Sequence, residues 1–287
     1  MSIENLEYDF RSRRLALGLD FVDAEREAEL AYPVRVEVEW QSPHRTPLPR
    51  NRYDFSQLGV AVHGFMRSSS GRYSLSYFPT IREQVDVRIH DYGRRYIPRR
   101  LRVPLRTLAE VEAIEAAEST DYLEGRVRTI TLFPGAAYYH SSCATGLRGR
   151  VVRDGEPMRW AFVEARLPDG GATVARTRGD DRGEFLLLLS PDAVPGSELN
   201  STLDIEVSIA GPAAPPVPPS PALPELDSLW DLPLEELPPF NVADNVSNGE
   251  SVPPGYVTAL STVRAVQFVV GRVLTGRDEA DFDFVMP

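Results

Sequence analysis

Apolar and polar positions alternate with a period of two over much of the chain, and that pattern predicts strands with one buried and one wet face. The clearest case is residues 34–40, where Val34, Val36, Val38 and Trp40 alternate with Arg35, Glu37 and Glu39. Val85, Val87 and Ile89 alternate with Asp86, Arg88 and His90 in the same way. Further strands are expected at 15–21, at 60–65, at 72–78 after Ser68-Ser69-Ser70-Gly71, and at 126–133, which Pro134-Gly135 ends. Residues 96–105 read as an edge strand, because Pro98 and Pro104 cannot donate to a ladder. A Pro- and Arg-rich loop occupies 42–52. One helix is expected, over 107–118, and its apolar positions Leu108, Val111 and Ile114 form a stripe too narrow for a core element.

The stretch 147–189 shows strands separated by explicit turn chemistry. A strand at 147–152 ends in Asp154-Gly155, a hairpin pair, and one at 161–167 stops at Pro168-Asp169-Gly170-Gly171. A third at 175–177 leads through Gly179-Asp180-Asp181-Arg182-Gly183 into the apolar run 185–189. On Gly149-Arg150-Val151-Val152, Gly155-Glu156-Pro157, Ala161, Val163 and Asp180-Asp181-Arg182-Gly183-Glu184-Phe185-Leu186-Leu187, this stretch resembles the carboxypeptidase regulatory-like domain. The resemblance implies a transthyretin-like β-sandwich and a module without chemistry of its own.

Short patterns recur in the same order in both halves. Gly71–Leu75 matches Gly183–Leu187, 84–89 matches 203–209, and 127–135 matches 263–271. The expected fold class is therefore all-β: two tandem transthyretin-like or Ig-like β-sandwiches with one short helix and a Pro-rich extended arm. The expected domains are 1–136, carrying the helical insertion 107–118, a linker at 137–146, and 147–287 with a Pro-rich insertion at 211–255.

That insertion contains PAAPPVPPSPALPELDSLWDLPLEELPPF, whose prolines favour extended backbone. Leu226, Leu229, Trp230, Leu232, Leu234, Leu237 and Phe240 are too many large apolar groups for a solvated tether. These seven are the candidate partner-binding residues, with part of the arm expected to wrap its own sandwich and the rest to lie on another subunit.

Composition narrows the function classes. The chain has 287 residues and a net charge of −11, and all 31 basic residues are arginine, as high-GC bacterial codon usage favours. Residues 1–105 hold 17 Arg against 14 acids, and the remainder holds 14 Arg against 28. This polarity suits head-to-tail docking of copies or partners. It argues against nucleic acid, which an acidic protein repels. The single Cys143 excludes an internal disulfide. No apolar run has membrane-spanning length, and MSIENLEYDFRSRR lacks a signal peptide's apolar core, so a cytoplasmic location without membrane insertion is expected.

His44, His63, His90 and His140 show no metal-ligand spacing, and no phosphate-binding glycine loop occurs. His140 lies three residues from Cys143, a spacing that means little in an irregular loop. Asp180, Asp181 and Glu184 have the oxygen chemistry of calcium but sit where turn residues are needed. The acids Asp278, Glu279, Asp281 and Asp283 read as an exposed face. No enzyme activity, cofactor or resident metal is expected.

Asp20-Phe21-Val22-Asp23-Ala24, Gly71-Arg72-Tyr73, Tyr96-Ile97-Pro98-Arg99-Arg100 and Leu132-Phe133-Pro134-Gly135, with the regulatory-like core, are similar to the double-sandwich accessory proteins of phage-tail-like contractile injection systems. That resemblance implies a non-catalytic cap, collar or baseplate adaptor, present in multiple copies among other protein subunits. The alternative is a free-standing accessory module binding peptide or carbohydrate through aromatics such as Tyr138, Tyr139 and Trp160.

Overall fold

The computed structural model describes residues 14–39, 64–77, 81–117, 126–190, 199–217, 227–240, 244–258, 263–275 and 282–287. They are mostly β, with one helix among them. The first half runs β1 (Leu15–Asp23), β2 (Ala28–Glu29), β3 (Arg35–Glu39), β4 (Met66–Arg67), β5 (Tyr73–Ser76), β6 (Gln84–His90), β7 (Arg99–Pro104), α1 (Leu108–Ala116) and β8 (Val127–Leu132). The second runs β9 (Gly146–Arg153), β10 (Glu156–Pro157), β11 (Phe162–Arg166), β12 (Thr173–Arg178), β13 (Glu184–Leu188), β14 (Thr202–Pro212), β15 (Leu234–Glu236), β16 (Tyr256–Thr258), β17 (Arg264–Val269), β18 (Val273–Leu274) and β19 (Asp283–Met286).

The strand pairing repeats. In the first half β1 is the hub of one sheet, with β5 and β2 antiparallel along one edge and β8 parallel along the other. In the second, β9 takes the same place, with β13 and β10 antiparallel on one edge and β18 and β19 parallel on the other. The facing sheets correspond too, β3-β6-β7 in the first half and β11-β14-β17 in the second. The matches of β5 with β13 and β6 with β14 are those expected from sequence. The third is displaced: by its pairing, β8 corresponds to β18 and β19, whereas β17 corresponds to β7. Period-two strands share a pattern whatever their position, so sequence likeness alone assigned this one wrongly.

Two hydrophobic cores follow. The first gathers Leu17, Leu19 and Phe21 of β1, Tyr73 and Leu75 of β5, Val85, Val87 and Ile89 of β6, Leu101 and Val103 of β7, and Ile130 and Leu132 of β8. The second gathers Leu147 and Val151 of β9, Val163 and Ala165 of β11, Ile205 and Val207 of β14, Val266 and Phe268 of β17, and Phe284 and Met286 of β19. β13 belongs to both. Phe185, Leu187 and Leu189 face the second core, while Leu186 and Leu188 face the first. The unbroken apolar run is thus a strand covered on both faces, and it welds the halves together.

Local chemistry explains the punctuation. Asp154 and Gly155 both take positive φ, 54° and 82°, the two-residue turn that joins β9 to β10. Thr107 caps α1 in a capping box with Glu110, and Val111 is its buried residue, so the helix lies on the surface as expected.

Two expectations are corrected. The 96–105 segment is not an edge: β7 is flanked by β6 and, in parallel, by β15 from the arm. Its prolines do not interrupt the ladder, because Pro98 precedes the strand and Pro104 ends it. Nor is the polar face of β3 wet throughout. Glu39 is buried, while Val36 and Val38 are only half-buried. Glu39 accepts from Arg88 of β6 and Arg100 of β7, cross-strand ion pairs that cover this face. Trp40, 42–52 and 60–63 lie outside the described residues, and Gly64 and Phe65 precede β4 without joining a strand.

Candidate functional site

The arm leaves the second half after β14 and returns to it through β16, whose residues Tyr256–Thr258 pair with the end of β14. Between these ends it crosses to the first half. Among its described residues only Leu234–Glu236 forms strand, parallel to Arg100–Arg102 of β7, and turns occupy 228–231 and 245–249. The backbone N–H of Leu237 donates to the Arg102 carbonyl at 2.9 Å and continues the ladder.

The predicted partner-binding residues divide accordingly. Leu232 and Leu237 are buried within this chain, at 3% and 5% exposure, and Leu237 is part of the first core. These two belong to the part of the arm that packs on its own chain, where it adds a strand to β7. Leu229, Trp230, Leu234 and Phe240 are half-buried. Phe240 has the guanidinium groups of Arg106 and Arg128 each 4.8 Å from its ring centroid. Leu226 lies outside the described residues.

Arginines hold the arm in place. Glu235, 2% exposed, receives both Arg99 of β7 and Arg178 of β12, each through two hydrogen bonds of 2.6–3.2 Å. One carboxylate thus ties both halves to the arm. Burial alone pushes the Glu235 carboxyl up; the charges and hydrogen bonds of Arg178 and Arg99 outweigh that and bring it down to about 2. Arg99 also donates to the carbonyls of Thr131, Val246 and Ser247, at 2.9, 2.5 and 2.9 Å. Around this centre Asp227 accepts from Arg88 at 2.7 Å, Glu236 pairs with Arg102 at 3.2 Å, and Arg128 donates to the Pro238 carbonyl at 2.9 Å. Asp231 takes the Trp160 indole N–H at 2.8 Å and pairs with Arg159 at 2.7 Å. Sequence reading singled out the leucines of this arm and passed over its carboxylates. The available signal was an acidic series, Asp227, Asp231, Glu235 and Glu236, inside an otherwise apolar stretch.

A second knot organises the neighbouring loops. Asp23 is fully buried and accepts from the hydroxyls of Tyr96 at 2.9 Å and Tyr138 at 2.9–3.0 Å, and from the backbone N–H groups of Glu25 and Arg26. Burial and then the Asp23 hydrogen bond push both tyrosine hydroxyls up. Burial and then the Asp23 charge push Glu25 up to about 7. Ile97 N–H donates to the Phe133 carbonyl and Gly135 N–H to the Arg95 carbonyl, each within 2.9 Å. Three separate sequence patterns, at 20–24, 96–100 and 132–135, therefore meet in space. Beside them a cleft of about 220 Å³ opens between the halves and the arm, lined by residues that include Glu37, His90, Arg94, Trp160, Asp181 and Leu229.

The other candidates are placed as follows. The His140 ring nitrogen Nδ1 contacts the Ser141 carbonyl, and Cys143 Sγ lies 3.1 Å from Ser141 Oγ, so the imidazole and the thiol are not paired. Asp180 Oδ1 accepts the N–H groups of Arg182 and Glu184, which makes it a turn residue. Arg94 bonds Asp180 Oδ2 and both carboxylate oxygens of Asp181, so a guanidinium stands where calcium would. Among the described residues no group of three His, Cys, Asp or Glu side chains has the geometry to hold a metal. His90 lies 3.7 Å from Glu37, whereas His44 and His63 lie outside the described residues. Asp283 pairs with Arg150 at 2.8 Å, and Asp278, Glu279 and Asp281 lie outside the described residues. Tyr138 and Trp160 are buried, but Tyr139 is 75% exposed. No described helix is long and apolar enough to cross a membrane.

No protein-family model and no curated protein matches the chain. Among solved structures it is similar to the Bacillus anthracis TIE protein, with 11% identity and a TM-score of 0.25 over 96% of this chain and 34% of that one. It is also similar to a streptococcal ancillary pilin, with 10% identity and a TM-score of 0.25 over 96% and 62% of the two chains. A 9R-lipoxygenase from Cyanothece PCC8801 aligns at 11% identity and a TM-score of 0.22, over 62% of this chain and 20% of that one.

Proposed function

We propose that this chain is a non-catalytic structural subunit, two transthyretin-like sandwiches locked into one stiff body. The observation that carries the proposal is the Arg99–Glu235–Arg178 bridge. An arm from the second half completes a sheet of the first and is pinned from both sides by buried ion pairs. Such a lock holds the two ends of the molecule at a fixed distance and angle, which a spacer or adaptor between rings needs and a flexible tether defeats. On this reading the chain is a cap, collar or baseplate adaptor of a phage-tail-like contractile injection particle, assembled in the cytoplasm in multiple copies beside other protein subunits. Purification from the native host followed by electron microscopy tests it. Tubular particles with a layer that disappears when the gene is deleted support it, and a lone chain found in no particle overturns it.

The rival reading, an accessory module for peptide or carbohydrate, is favoured by Tyr92 and Tyr139, exposed at 67% and 75% on loops of the first half. Binding of the purified chain to a glycan or peptide array, lost in Y92A/Y139A, distinguishes that module from a particle subunit.

A further inference from the structure

We propose that Arg106 and Arg128, set against the Phe240 ring, form a binding site for one phosphate group, free or carried by a small ligand. This goes beyond the structural role, since it needs neither a particle nor a second copy of the chain.

Buried guanidinium groups in this chain mostly meet carboxylates. Arg88 pairs with Glu39 and Asp227, Arg99 and Arg178 share Glu235, and Arg126 pairs with Glu115. A charge taken out of water without a counter-charge is costly, so that pairing is the expected condition. Arg128 departs from it. It is 9% exposed, makes one hydrogen bond, to the Pro238 carbonyl, and has no ion pair among the described residues. Its Nε is buried without a partner. Arg106 is half-buried, its Nε is likewise buried and unpartnered, and its guanidinium makes no hydrogen bond among the described residues. Arg153 also lacks a carboxylate and donates to the Pro212 carbonyl. What sets Arg106 and Arg128 apart is that they share one small patch.

Three elements build that patch. Arg106 follows β7 and precedes the Thr107 cap of α1, Arg128 lies in β8, and Phe240 belongs to the arm. Each guanidinium stands 4.8 Å from the Phe240 ring centroid, so both charges lie against one apolar wall. The acids whose fields reach them are engaged elsewhere. Glu110 accepts the Thr107 N–H and hydroxyl at 2.6 and 2.9 Å, and Asp244 accepts the N–H groups of Val246 and Ser247 at 2.9 and 3.0 Å. Burial lowers the Arg128 pKa, Asp244 partly offsets this, and the Arg106 charge adds to it. An anion beside the pair relieves both the desolvation and the repulsion.

Two planar forks and two uncompensated charges specify that anion. A phosphate group carries about two charges at pH 7 and offers enough acceptor oxygens to meet both forks, whereas a carboxylate satisfies one fork and leaves one charge. A local pair suffices for a single phosphate. Nucleic acid needs a basic track, which a net charge of −11 opposes.

NMR of the intact chain tests the site, at pH 7 and constant ionic strength, with inorganic phosphate replacing chloride. The Nε–H resonances of Arg106 and Arg128, assigned by their disappearance in R106Q and R128Q, should shift together and saturate, with half-saturation on the order of millimolar. Methyl phosphate should reproduce the shift, and acetate should require at least about tenfold more. R106Q replaces a half-buried side chain that holds no described hydrogen bond, so it should fold, and it should weaken the Arg128 response at least about tenfold. It keeps the test open should R128Q fail to fold. Resonances that do not move with phosphate, or that answer acetate as strongly, overturn the proposal. So does an Arg128 response unchanged in R106Q. Each of these outcomes leaves the structural-subunit reading standing, because that reading rests on the bridge at Glu235.

Discussion

Glu235 is the residue on which most depends, because it is a buried charge whose two partners belong to different halves of the chain. Replacing it with glutamine leaves Arg99 and Arg178 buried against a neutral group, and the expected cost is about 3–5 kcal/mol, measured by urea unfolding at pH 7. Its carboxyl lies below the ordinary 4.5, at about 2, so its stabilisation is complete above pH 4.5 and is lost as pH falls towards 2. That loss amounts to about 3 kcal/mol for a shift of this size, and E235Q should flatten the acid limb of stability against pH. Glu25 works in the opposite sense. Burial and Asp23 raise it from 4.5 to about 7, so the folded state binds its proton more tightly than the unfolded chain does. Stability is greatest below pH 4.5 on this account and falls as pH rises to 7. Unfolding midpoints of E25Q should lack that fall between pH 5 and 7.5, and an unchanged slope would assign it to another group.

Among the elements, the turn between β12 and β13 shows how closely backbone and sequence are matched. Gly183 sits at φ 74°, and a Cβ there would stand 2.6 Å from the Val151 carbonyl oxygen. G183A therefore meets both a left-handed backbone and a backbone clash, and a loss of at least about 2 kcal/mol is expected by chemical denaturation. β15 makes the complementary point. Three residues of strand are too few to hold by backbone bonding alone, and the carboxylates within it and before it, Glu235, Glu236, Asp227 and Asp231, supply what the ladder lacks. L237A, which removes an arm side chain from the first core, should cost about 2–4 kcal/mol and make the arm the first site of proteolysis.

For the whole molecule, the double-faced β13 and the pinned arm predict that the halves melt together. Differential scanning calorimetry of the intact chain should show one transition with calorimetric and van't Hoff enthalpies in agreement. E235Q should split it, the first half melting earlier because its outer strand β15 loses its anchor. Two transitions in the unaltered chain would mean that the seam does not couple the halves.

Strand identity was legible from single residues and their neighbours. The alternation at 85–89, the Asp154-Gly155 turn, the Thr107 capping box and the run 185–189 each specify a local backbone, because burial period, φ preference and capping act within a few positions. The arm's apolar character likewise announced a segment needing a surface. Tertiary structure decided which surface that is. It set β15 beside β7, made a central strand of what reads as an edge, and gave β8 its counterpart in the tail in place of β17. It also gathered Arg99, Arg178 and Glu235 from positions far apart in the chain. Pairing of distant strands and neutralisation of buried charges depend on what comes to lie opposite, and no local pattern in one sequence records that.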